Sequence, residues 1–144
     1  MSFTLHPQLA ADCITLGNLP ICTVLLNKQF SQFPWLILVP RRTGCRDLTD
    51  IGQLELPMLM DEVAYVHDAL KAHTKPTKMN IAAIGNMVPQ LHIHIIARNE
   101  GDECWPKPVW GHATAKPYTE KHLEKAIEAY KSMLGDMLEP VLNS

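Results

Sequence analysis

The run Gln90-Leu91-His92-Ile93-His94-Ile95-Ile96 alternates polar and apolar residues. On an extended strand, this alternation sends Gln90, His92 and His94 to one face and Leu91, Ile93 and Ile95 to the other. Same-side residues stand roughly 7 Å apart, so two neighbouring imidazoles can both reach one phosphate group or one metal ion. A neutral imidazole near pH 7 serves as a nucleophile, a proton carrier or a metal ligand. The chain holds seven histidines in 144 residues, and at that frequency chance alone supplies roughly a third of a His-x-His pair. The setting therefore carries the signal. Gln90 stands two residues earlier, Leu and Ile fill every intervening position, and the loop Gly85-Asn86-Met87-Val88-Pro89 turns the chain into the strand.

The flanking sequence predicts the elements that hold this platform. Pro7 to Asp12 reads as a short helical turn with Pro in its first position. Residues 13–19 and 21–27 are apolar runs interrupted at Gly17-Asn18 and Pro20, which predicts two short strands or one hairpin. Residues 35–39 form a third, buried strand. From Thr49 onward Ile51, Leu54, Met58, Val63, Val66 and Leu70 recur at helical intervals. Pro57 lies near the first turn or marks a break, and the helix ends near His73-Thr74, ahead of Lys75-Pro76. Residues 78–84 return as a strand that pairs with the Gln90 strand. A second long helix starts at Thr119, its candidate N-cap, and carries Leu123, Ala126, Ile127, Tyr130, Leu134 and Met137 on one face. Strands in sequence with one long helix between the third and fourth predict an α+β domain, an antiparallel sheet with helices packed on one side.

A chain of 144 residues, 47% of them hydrophobic, suits a single domain over 1–144. Its motif-bearing core covers about 13–102, and a Trp/Pro segment and a helix fill 103–144. The net charge of -2 argues against a protein that depends on non-specific attraction to a nucleic-acid polymer. Phosphate recognition is then local, with Arg41, Arg42, Arg46 and Arg98 as candidates against the plainer reading of solvated surface arginines. Cys13, Cys22, Cys45 and Cys104 form no close pair, which disfavours a zinc site or disulfide framework and suits a reduced cytoplasm. The first residues show no leader pattern and no apolar run is long enough to span a bilayer, so a soluble, cytoplasmic protein without a membrane partner is expected. Trp105-Pro106-Lys107-Pro108-Val109-Trp110-Gly111-His112 is too rich in Pro for a sheet centre. It reads as a flap or dimer-contact segment with Trp105 or Trp110 near the site, or as packing over a sheet edge. His112 is kept as a site candidate, whereas His6, His67, His73 and His122 lie at the terminus or on helix patterns.

The Gln90 to Ile96 run resembles the histidine triad (HIT) motif, in which three histidines alternate with apolar residues and two more apolar residues follow. Gln90 stands at the first of the three. The resemblance continues upstream through Leu26-Asn27-Lys28 and Phe33-Pro34-Trp35 into Leu36-Ile37-Leu38-Val39-Pro40-Arg41-Arg42, and covers roughly residues 24–102. It is nearest to the fragile-histidine-triad hydrolase branch, which has an Asn, a seven-residue spacer, a His, and then an apolar strand ending in Pro with a basic residue nearby. Trp35 occupies the place of that His.

The resemblance implies a five-stranded antiparallel sheet with two main helices, in a homodimer. It implies a chemistry as well. His92 attacks the α-phosphorus of a nucleotide conjugate, a dinucleoside polyphosphate or a nucleoside phosphoramidate, and forms a nucleotidyl-histidine that water cleaves. A backbone carbonyl holds the other ring nitrogen of His92, and His94 donates to a phosphate or bridging oxygen. No metal ion or cofactor is required. Gln90 can hold a phosphate oxygen but carries no charge, and losing one such donor costs roughly 10²-fold to 10³-fold in rate, so a slower enzyme is expected. Trp35 either stacks on a base or fills the core. Asn27 contacts ribose hydroxyls or serves a turn, and Asn80 lines the phosphate pocket or is an edge-strand residue. Asn86 has the same two readings, and Arg98 faces the phosphate only if the strand keeps its register. Met87-Val88-Pro89 replaces the Ser or Thr that often precedes the motif. Two other functions stay open: a nucleotide-binding module without catalysis, and a divalent metal site on His92 and His94 completed by His112 or an acidic residue.

Overall fold

The computed structural model describes residues 2–141. The elements run α1 (Pro7–Asp12), β1 (Cys13–Asn18), β2 (Cys22–Asn27), β3 (Trp35–Pro40), α2 (Leu56–Thr74), β4 (Lys78–Ala82), β5 (Ile93–Arg98) and α3 (Glu120–Leu134). All strand pairings are antiparallel, in the order β1-β2-β3-β5-β4. This is the α+β, five-stranded, single-domain architecture expected.

Period-2 alternation divides the core into two layers. Val24 and Leu26 of β2, Leu36 and Leu38 of β3, and Ile93 and Ile95 of β5 face α2 and α3, where Leu59, Val63, Val66, Leu70, Tyr130 and Leu134 meet them. Leu25, Trp35, Ile37, Val39 and Ile96 face the other way, under Leu9 of α1 and Cys104 and Val109 of the Trp/Pro segment. Both sheet faces are therefore covered, so every residue of β2, β3 and β5 is buried. The long helices do pack on one side, and the Trp/Pro segment covers a sheet face rather than an edge.

Three boundaries differ from the periodicity reading. The stretch from Thr49 is not yet α2: Leu48–Ile51 is a separate 3-10 turn, Gly52 (φ 90) ends it, and Leu54 stands 91% exposed. Only Ile51 of that stretch is buried. Strand β4 stops at Ala82. Strand β5 starts at Ile93 rather than Gln90, because the preceding residues spend their polar groups elsewhere: the Leu91 N–H donates to the Cys45 carbonyl. On α3 the Thr119 Oγ1 caps the helix by accepting from the His122 N–H, and Met137 lies beyond the helix end, half exposed. Glu62 of α2 locks the β1–β2 turn by accepting the Ile21 and Cys22 N–H groups, both at 2.8 Å.

Candidate active site

His94 lies within β5, opposite Ile37 of β3 and Ala82 of β4. His92 precedes the strand yet stays on the same side, with the two ring centroids 4.9 Å apart. Two hydrogen bonds set their proton positions. His92 Nδ1 is 2.7 Å from the Gln90 backbone carbonyl; a carbonyl only accepts, so Nδ1 carries the proton and Nε2 keeps its lone pair. Trp35 Nε1–H donates to His94 Nδ1 at 3.0 Å; an indole only donates, so the His94 proton sits on Nε2. One imidazole thus offers a lone pair and the other an N–H. Protonating His94 would set an Nδ1–H against the indole N–H, and burial, followed by the charge at His92, pushes its pKa down to about 3. At neutral pH His94 is a hydrogen-bond donor that cannot act as an acid, because the proton on a neutral imidazole is too tightly held to be given up.

Both histidines line a cavity of about 280 Å³. Trp35 and Ile37 of β3, Asn27 of β2 and Phe30 form one side of it; Val109 and Trp110 form another, and Gln8, Leu9 and Asp12 of α1 with Cys13 a third. Trp110 meets His94 edge-on at 5.1 Å and Trp35 at 5.7 Å, while Phe30 lies 5.2 Å from Trp35. Such a box offers flat apolar surface to a ring. Asn27 is 7% exposed, and its Oδ1 accepts from the Gln29 N–H at 3.0 Å. Its amide hydrogens thus remain to donate, whereas the oxygen is engaged. Burial pushes the Cys13 thiol up to about 12, which removes it as a nucleophile. A larger cleft of about 700 Å³, between residues 18–20, Arg41 and residues 136–141, contains no histidine and shares no lining residue with this cavity. Size favours that cleft; the paired imidazoles favour the smaller one as the reactive site.

Several predicted site residues are placed elsewhere. The Gln90 amide does not line the His cavity: its Nε2 donates to the Thr4 carbonyl and its Oε1 accepts from the His6 N–H, both at 2.9 Å. It is a clasp on the N-terminal arm, whose continuation, α1, walls the cavity. Arg98 is on the His94 side of β5, since the alternation passes unbroken through Ile95-Ile96, but it is 1% exposed and its guanidinium is taken up by protein partners. Its guanidinium pairs with Asp102 at 2.7 Å and 3.0 Å and donates to Asn80 Oδ1 and the Lys107 carbonyl. That guanidinium holds the Asp102 carboxyl down to about 2. Asn80 is thereby committed to Arg98, and Asn86 is exposed and lines neither cavity bordered by His92. Trp105 lies against Arg98 rather than in the cavity. Exposed His112 makes its ring contact with the Pro108 carbonyl and is not a lining residue. Among the described residues no three His, Cys, Asp or Glu side chains group to hold a metal ion, so the metal reading loses its third ligand.

Sequence reasoning missed the α1 wall, Phe30 and the Gln90 clasp. The clasp joins residues 84 and 86 apart, and no local pattern signals such a contact. The four cysteines are buried and free, and among the described residues no helix is long and apolar enough to cross a membrane.

The HIT domain model matches residues 9–101. The structure is similar to a histidine triad protein from Bradyrhizobium japonicum (42% identity, TM-score 0.88, covering 93% of this chain and 99% of the other). It is also similar to a histidine triad protein from Marinobacter aquaeolei (40%, 0.86, covering 96% and 97%) and to one from Sinorhizobium meliloti (39%, 0.84, covering 94% and 97%). No curated protein matches the chain. The family model covers well over half of the sequence, and the imidazole pair lies inside it, on a sheet shared with these relatives from end to end: the chain belongs to the histidine triad (HIT) family.

Proposed function

We propose that this protein is a HIT-type hydrolase or nucleotidyl transferase that cleaves at the α-phosphate of a nucleotide conjugate through a nucleotidyl-His92 intermediate. The carrying observation is the 2.7 Å contact of His92 Nδ1 with the Gln90 carbonyl, which leaves Nε2 as the one nucleophilic nitrogen. The carbonyl also steadies the positive charge that His92 gains when phosphorus bonds to Nε2. His94 Nε2–H donates to an oxygen on phosphorus. The Trp35–Trp110–Phe30 box suits a nucleobase, and the Asn27 amide hydrogens suit a ribose hydroxyl. No metal or cofactor takes part in this scheme.

The engaged Gln90 amide favours one other reading, a nucleotide-binding module without useful turnover, since no third polar side chain of the motif meets the phosphate. Intact-mass spectrometry after rapid, acid-free quenching with adenosine phosphoramidate or a diadenosine polyphosphate, in EDTA, separates the two. A nucleotidyl adduct or released AMP that vanishes in His92→Ala is the expected result; nucleotide binding with neither signal would establish the binding module. A homodimer is part of the proposal: β4 is a sheet edge whose Ile81 is 50% exposed, with Ile84 just beyond at 43%. Light scattering at micromolar concentration measures it.

A further inference from the structure

We propose that Glu103 is a positioning residue: its carboxylate latches the Trp/Pro segment to the connection between β2 and β3, and so holds the two aromatic walls that these segments bring to the imidazole cavity. The inference rests on the nucleotide reading of that cavity, because the walls are the ones assigned to the base. Trp35 and Ile37 stand on β3, which is hydrogen-bonded to a strand on either side. Phe30 and Trp110 lie outside the five strands, Phe30 in the connection 28–34 and Trp110 in the irregular stretch 99–119. Segments of this kind take their order from a few contacts rather than from a ladder, so the box keeps its shape only where the two are tied together.

Glu103 supplies the tie. Its Oε1 accepts from Gln32 Nε2 at 3.0 Å, and its two oxygens accept from the Thr114 N–H at 3.2 Å and 3.1 Å. Gln32 Nε2 also donates to the Thr114 carbonyl at 2.7 Å. The side-chain amide, the carboxylate and the Thr114 backbone thus close a ring of hydrogen bonds between the two segments. The Gln32 hydrogen bond, ahead of the Thr114 N–H, also holds the Glu103 carboxyl below the usual carboxylate range, so the latch stays charged at neutral pH.

The same bonds pinch residues 103–114 into a closed loop that carries Val109, Trp110 and Ala113. Inside the loop the His112 and Ala113 N–H groups both donate to the Val109 carbonyl, at 3.1 Å and 2.9 Å. Beyond it, Lys116 donates to the Gln29 carbonyl and accepts from the Ser31 N–H, which fixes the exit of the segment to the connection that Glu103 and Gln32 join to its entry. Glu103, Gln32 and Thr114 do not line the cavity, so they act on a ligand only through Phe30 and Trp110. Latch and ligand are then reciprocal: whatever factor the latch adds to the affinity for a ring in the box, the ring adds to the stability of the latch.

Calorimetric binding of AMP and hydrogen exchange test this on the full-length protein, Glu103→Ala, Glu103→Gln and Asp102→Ala. Glu103→Ala is expected to weaken AMP roughly 3-fold to 10-fold, the effect of one net hydrogen bond, and to speed exchange at the His112 and Ala113 amides while the β5 amides keep their rates. Glu103→Gln keeps one acceptor oxygen and recovers part of the loss. AMP in turn slows exchange at His112 and Ala113 in the wild type. With adenosine 5′-(p-nitrophenyl phosphate) the Glu103→Ala loss appears in KM with kcat held. Asp102→Ala is the control for general destabilisation: its carboxylate reaches Arg98 and the amides of residues 99, 104 and 105 but neither Gln32 nor Thr114, so AMP affinity stays unchanged. Unchanged AMP affinity in Glu103→Ala, a fall in kcat at constant KM, or an equal loss in Asp102→Ala would overturn the latch. A wild type that binds no AMP would overturn the nucleotide reading; the exchange rates then decide the latch, and unchanged rates at His112 and Ala113 in Glu103→Ala would end it.

Discussion

Acidification from about pH 6.5 to about pH 5 tests the neutral, pinned state of His94. Its pKa lies near 3 in the folded protein against 6.5 in the unfolded chain, first because it is buried and second because of His92. Between those values the unfolded chain holds the extra proton and the folded protein does not, so stability falls as pH falls through 6.5 toward 3. The full slope is about 1.4 kcal/mol per pH unit, and because the unfolded imidazole is already half protonated at the start, the interval costs on the order of 2 kcal/mol. Urea unfolding at the two pH values measures it, with His94→Gln as the reference. A Gln amide accepts from Trp35 and donates nearby but does not titrate, so the wild type should lose on the order of 2 kcal/mol more than the variant. The ¹⁵N spectrum of the native protein supplies an independent readout, with His94 protonated at Nε2 and His92 at Nδ1. Equal losses in the two proteins, or an imidazolium at His94 near pH 6, would refute the reasoning.

Gln90→Ala removes both clasps on the N-terminal arm, and each is worth about 1 kcal/mol. Hydrogen exchange at the His6 amide should accelerate roughly 10-fold, and KM should rise with kcat held, because the arm leads into a cavity wall without reaching phosphorus; a fall in kcat at constant KM would make Gln90 a catalytic group instead. Asp102→Ala leaves the Arg98 guanidinium buried without its counter-charge, at a cost of about 3 to 5 kcal/mol in chemical unfolding. The kcat/KM of the folded fraction should stay unchanged, since neither residue lines the imidazole cavity; a specific loss of activity would return Arg98 to the phosphate.

What could be read from the sequence was whatever rests on periodicity and short-range chemistry. Apolar runs bounded by Gly and Pro placed β1 to β3, alternation put His92 and His94 on one side above Ile93 and Ile95, and the capping residue Thr119 marked the start of α3. These are properties of neighbours within a turn or a strand, and burial follows from them because an apolar face must be covered. The helical spacing of Ile51 and Leu54 misled because a positive-φ glycine, Gly52, interrupts the backbone between them while leaving the pattern intact.

The partners of the polar side chains were decided only in three dimensions. Gln90 and Arg98 each stand four residues from His94 in the sequence, yet one meets the backbone of Thr4 and His6 and the other meets Asp102, Asn80 and the Lys107 carbonyl. A buried donor or acceptor takes whichever complementary group the fold brings within about 3 Å, and that choice depends on segments far away in the chain. The proton position on His94 was settled in the same way. The sequence by itself determined that two imidazoles share a face in a HIT-type sheet; the tertiary structure, by setting the Trp35 N–H against one and the Gln90 carbonyl against the other, decided which presents a lone pair and which a proton.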